Sequence, residues 1–81
     1  MAGTVTREQV YEVLKETLIE QGTEPEAITP EATFEDLEVD SLDLVELAQV
    51  VEERFGVTIK GSEVAKIANL GEAAAWIAER A

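Results

Sequence analysis

The chain is 81 residues long, which leaves room for a single domain, residues 1–81, with a modest core that buries roughly 60–65% of the unfolded surface. It contains no cysteine and no histidine, which excludes disulfides, thiolate metal sites and the usual general base of hydrolytic catalysis. Eighteen acids against six bases give a net charge of −12, a field that repels nucleic acid and anionic membrane and attracts partners with basic surfaces.

The first element reads as a helix. Thr6 is placed to cap it, Gln9 stands at the capping-box position, and Val5 with Val10 has the spacing of a hydrophobic staple. Val10, Val13, Leu14, Thr17 and Leu18 then fall on one face, and Gly22 is a stop signal. Between Thr23 and Val39 come two prolines, many acids and little periodicity, the marks of a long loop. Ile28, Phe34 and Leu37 are its apolar anchors. A second helix spans about Ser41 to Phe55, with Asp40 as N-cap, Asp43 at the third helical position and Gly56 after its end. Val39 and Leu44 repeat the staple spacing.

Val57-Thr58-Ile59 is too short to build a sheet alone. Ser62 is placed to cap a brief helix holding Val64, Ala65 and Ile67. Asn69 caps a final helix with Glu72 at the box position, and Leu70, Ala73, Ala74 and Ile77 form its narrow apolar face. The expected fold is all-α, a small antiparallel bundle of three main helices plus one short helix. No apolar run is long enough to cross a bilayer, and Met1-Ala2-Gly3-Thr4 lacks the basic and apolar regions of a signal peptide. A monomeric, soluble, cytoplasmic protein without membrane insertion is expected.

The second helix has two apolar faces. At about 100° per residue, Leu44, Leu47, Ala48, Val51 and Phe55 group on one side as the core face. Leu42, Val45 and Gln49 lie opposite, close to Glu46 and Glu53 and flanked by Asp43 and Val50. An apolar strip rimmed by carboxylates suits docking, the apolar contacts supplying affinity and the charges steering. The competing reading is that the long loop covers Leu42 and Val45. Nine of the eighteen acids lie between Glu31 and Glu53, with no base among them; an acidic surface of this kind also serves solubility alone.

Ser41 opens the second helix, so its hydroxyl sits beside unpaired backbone N–H groups and the positive end of the helix dipole, a good position for a phosphate ester. Asp36, Glu38 and Asp40 alternate before it and invite a metal reading. A calcium loop starting at Asp36 needs glycine sixth and glutamate twelfth, but those positions are Ser41 and Leu47. No metal is therefore expected. Nor is Ser41 expected to be a catalytic nucleophile, because histidine is absent and Lys15, Lys60 and Lys66 all lie outside the motif.

The stretch from Phe34 through Asp40-Ser41-Leu42 to Leu47, followed by Phe55-Gly56-Val57-Thr58-Ile59, Ile67 and the helix starting near Leu70, resembles the acyl carrier proteins. The resemblance implies that Ser41 bears a 4′-phosphopantetheine arm donated by coenzyme A through a separate phosphopantetheinyl transferase. It implies that acyl chains travel on the arm as thioesters for fatty-acid-synthesis enzymes with basic docking surfaces. Such a protein is a carrier and substrate, not an enzyme. Asp40, Leu42, Asp43, Val45, Glu46 and Glu53 would form the recognition strip, and Leu47, Val51, Ile59 and Ile67 would shelter the acyl chain. One departure is plain: the family usually has glycine where this chain has Glu38, at a place where glycine permits a left-handed backbone without steric cost. Gln49 also replaces an apolar residue common on the outer strip. Two rival readings are a carrier for a polyketide or other specialised pathway, and an unmodified acidic interaction module.

Overall fold

The computed structural model describes residues 5–60, 63 and 66–81, and among these no strand forms. Three helices make the frame: α1 (Arg7–Glu20), α2 (Ser41–Phe55) and α3 (Leu70–Arg80), with a 3-10 turn at Pro25–Ala27 in the connection between α1 and α2. The protein is an all-α bundle, as its periodicity predicts. Ser62, Val64 and Ala65, expected to start and fill the brief fourth helix, lie outside the described residues.

Each main helix is punctuated by its own sequence. The Thr6 hydroxyl accepts from the Gln9 N–H, and the Gln9 carboxamide oxygen accepts from the Thr6 N–H, both at 3.1 Å, completing the capping box. At the far end Gly22 adopts φ 105°. The Thr23 N–H donates to the Leu18 carbonyl at 2.9 Å and the Gly22 N–H to the Ile19 carbonyl at 3.0 Å, the paired closure of a Schellman motif. Gly56 ends α2 at φ 71°. Asn69 Oδ1 accepts from the Glu72 N–H at 2.8 Å to start α3. Arg80 closes that helix, its guanidinium 3.8 Å from the Trp76 ring centroid and Nη1 donating to the Trp76 carbonyl at 3.0 Å.

The core has two parts. Val10 and Leu14 of α1, Leu47 and Val51 of α2, and Ala73, Ala74 and Ile77 of α3 meet with Val57 in the larger. Leu18 and Leu70 gather the loop residues Ile28, Ala32 and Leu37 in the smaller. Each large side chain fully buried in this way contributes about 1.5–3 kcal/mol relative to an exposed one. Phe34 packs, half-buried, against both clusters. The long loop is therefore fastened as its anchors predict, and it is also fastened by backbone. The Leu70 and Gly71 N–H groups donate to the carbonyls of Ala32 (3.0 Å) and Pro30 (2.9 Å), so two otherwise unpaired donors at the start of α3 are satisfied by the loop. α1 packs along α3 over a longer seam than along α2, which leaves one flank of α2 accessible.

Candidate functional site

The site begins with a turn that periodicity could not reveal. The Thr33 hydroxyl accepts from the Asp36 N–H at 2.9 Å and Asp36 Oδ2 accepts from the Thr33 N–H at 3.4 Å. One helical turn follows, with the Leu37 N–H donating to the Thr33 carbonyl. It closes as α1 does: the Glu38 N–H bonds the Glu35 carbonyl at 3.0 Å and the Val39 N–H bonds the Phe34 carbonyl at 3.1 Å. The residue at the left-handed position of that closure is Glu38, at φ 56°, the one non-glycine with positive φ among the described residues. A side chain there costs about 1–2 kcal/mol. The departure noticed in the sequence is thus met by strain, with the turn retained.

Asp40 follows with extended backbone, its Oδ1 accepting from the Asp43 N–H at 2.9 Å and its carbonyl from the Leu44 N–H at 3.0 Å. Ser41 is the first residue of α2 and is exposed. Its hydroxyl is free to react without disturbing the core. Beside it opens a cleft of about 700 Å³ along the flank of α2. Leu44, Val45 and Ala48 form one wall, and Phe34, Ile59 and Ile67 lie across it. Polar groups edge it: Thr33, Glu35, Gln49, Glu52 and Thr58, with the Thr58 hydroxyl donating to Glu52 Oε2 at 3.3 Å. An exposed hydroxyl at a helix N-terminus beside an apolar cleft suits a phosphodiester-linked arm that carries an apolar load.

Of the four residues expected to shelter an acyl chain, Ile59 and Ile67 line this cleft. Leu47 and Val51 do not. They are buried behind it, where they border a void of about 20 Å³ together with Ile59 and Ile67. The cleft lies about a quarter-turn around α2 from the core face. Leu44, Val45, Ala48 and Phe34 line the cleft as well, and stepping from Ser41 by helical spacing leads to Val45, Ala48 and Glu52.

The expected strip is open. Leu42 is 74% exposed and Val45 53%, so the loop does not cover them. Asp40, Glu46 and Glu53 are exposed. Val45 belongs to both the strip and the cleft wall. Asp43 is half-buried, and its carbonyl accepts from Gln21 Nε2 at 3.0 Å. The same Nε2 donates to Glu46 Oε1 at 3.3 Å. No pattern in the sequence pointed to Gln21.

Residues 9–77 match the family model described as the phosphopantetheine attachment site. An acyl carrier protein of Rubrobacter xylanophilus is 43% identical over 75 residues, covering 90% of this chain and 93% of the relative. The chain belongs to the acyl carrier protein family. Another acyl carrier protein, from Wolinella succinogenes, is 40% identical over 70 residues, covering 84% of this chain and 92% of the relative. The meromycolate extension acyl carrier protein of Mycobacterium tuberculosis is 39% identical over 75 residues, covering 90% of this chain and 65% of that protein. The family's prosthetic group is 4′-phosphopantetheine, and the acyl carrier described here transports acyl groups on it.

Proposed function

We propose that Ser41 is the attachment point of the arm and that the carrier serves fatty-acid synthesis. The observation that carries the reading is the exposed Ser41 hydroxyl at the start of α2, beside the apolar cleft. When bound, the arm supplies a terminal thiol for holding acyl groups as thioesters, chemistry this cysteine-free chain lacks. Asp40 caps the helix and fixes the turn that presents the serine. Leu42 and Val45 give a partner apolar contact, while Asp40, Asp43, Glu46 and Glu53 steer basic surfaces toward it. Leu44, Val45, Ala48, Ile59 and Ile67 are the surface on which an acyl chain would lie. The chain acts as carrier and substrate, in the cytoplasm, while transferase and synthesis enzymes do the chemistry.

Incubation with a phosphopantetheinyl transferase and coenzyme A, followed by intact-mass measurement, tests the assignment. One added arm is expected, and none on Ser41→Ala; the other serine of the chain is Ser62. Modification of Ser41→Ala would overturn it. The specialised-pathway reading rests on the relative named for meromycolate extension. Reconstituted fatty-acid elongation with the modified protein as sole carrier separates the two, elongation being the outcome expected here.

A further inference from the structure

Gln21 caps the end of α1 and reaches across to α2. Its Nε2 donates to the Asp43 carbonyl at 3.0 Å and to Glu46 Oε1 at 3.3 Å. Its own Oε1 is buried with no hydrogen-bond partner among the described residues. Both acceptors are oxygens, so the amide has one workable orientation; the reverse would set Oε1 against a carbonyl and a carboxylate. Among the described residues Gln21 therefore makes its two hydrogen bonds through Nε2 alone, whereas an apolar side chain of similar length would place no acceptor there. What the arrangement does achieve is order: Glu46 is an exposed, rotatable side chain on the strip, and Gln21 holds one of its oxygens while tying the turn that carries Ser41 to α1.

We propose that Gln21 is a positioning residue for partner docking, presenting the Glu46 carboxylate in a fixed geometry to a basic partner surface. An acid already ordered loses less rotamer freedom when the partner's cation arrives. A carboxylate that accepts one hydrogen bond on one oxygen still offers the other to an arginine or lysine. The inference rests on the assignment of Ser41 and its strip.

The test is a double-mutant cycle on transferase kinetics, using wild type, Gln21→Met, Glu46→Ala and the double variant, with coenzyme A as donor. Gln21→Met should melt at or above the wild-type temperature, because the unsatisfied oxygen is gone. Its kcat/KM should fall about threefold to fivefold, the scale of one exposed charge pair, with the loss in KM and a flatter salt dependence. In the Glu46→Ala background the same change should have no further effect. A lowered melting temperature with unchanged kcat/KM would make Gln21 a structural residue only. Additive losses, or a Glu46→Ala variant with wild-type kinetics, would also overturn the proposal. Ser41→Ala run beside them keeps the two readings apart: modification there overturns the site itself, whereas an unmodified Ser41→Ala with an additive cycle overturns only the role of Gln21.

Discussion

Glu38 is where one residue departs from what its backbone wants. At φ 56° its side chain crowds its own backbone, and glycine would remove that strain while adding freedom to the unfolded chain. Glu38→Gly should therefore stabilise the fold by a net of about 0.5–1 kcal/mol, raising the melting temperature by a few degrees. Thermal melts check this, and a lower melting temperature would mean the glutamate makes a compensating contact. Tyr11 gives a second residue-scale expectation. Burial raises its pKa above the ordinary 10, helped by the charges of Glu12 and Glu31, and its hydroxyl donates to the Ile28 carbonyl at 3.4 Å. With the folded-state pKa raised, its contribution to stability is fully present below pH 10 and is lost as pH rises through its ionisation. It is the single tyrosine, so its ultraviolet titration should show a midpoint above 10 in the folded protein and near 10 in denaturant. The Asp40 cap and the Thr6–Gln9 box are legible in the sequence because capping residues act through near neighbours. Gln21 is not, because its partners lie 22 and 25 residues away.

α2 shows what periodicity can and cannot supply at the scale of an element. Its limits and core face follow from Asp40, Gly56 and the Leu47–Val51 spacing, and its exposed strip is where the wheel puts it. Leu47 and Val51 share their apolar character with the cleft wall, and a helical wheel does not separate a residue packed behind a cleft from one lining it. The turn at residues 33–38 leaves no mark in the periodicity because one helical turn is too short to display a period. Asp40 has two separable duties here. Asp40→Ala should cost about 1 kcal/mol of stability through loss of the cap, whereas Asp40→Asn should keep the cap and lose only the charge. Urea unfolding of both variants checks the first duty, and their modification rates at low salt check the second. Equal destabilisation by asparagine and alanine would show that charge at the helix N-terminus, and not the hydrogen bond, is what matters.

At the scale of the whole molecule, charge opposes folding. Half of the eighteen acids lie between Glu31 and Glu53 without an intervening base. Among the described residues the one ion pair within reach joins Arg80 to Glu79 at 3.9 Å, on a single exposed helix end, where such a pair contributes little. Among the described residues no basic side chain pairs with the acids near Ser41. That arrangement favours fast encounter with basic partners and weakens the fold through self-repulsion. Added monovalent salt should raise the melting temperature as the Debye length shortens from about 30 Å at 0.01 M to about 8 Å at 0.15 M. Magnesium and calcium should act at lower concentrations by gathering near Glu35, Asp36, Glu38 and Asp40. No three acids converge to hold a metal ion among the described residues, so the response should be graded and similar for both cations. Thermal melts across sodium, magnesium and calcium titrations decide this. Stabilisation by micromolar calcium with magnesium inert would reveal a specific coordination site, and the acidic surface would then have a structural role beyond steering.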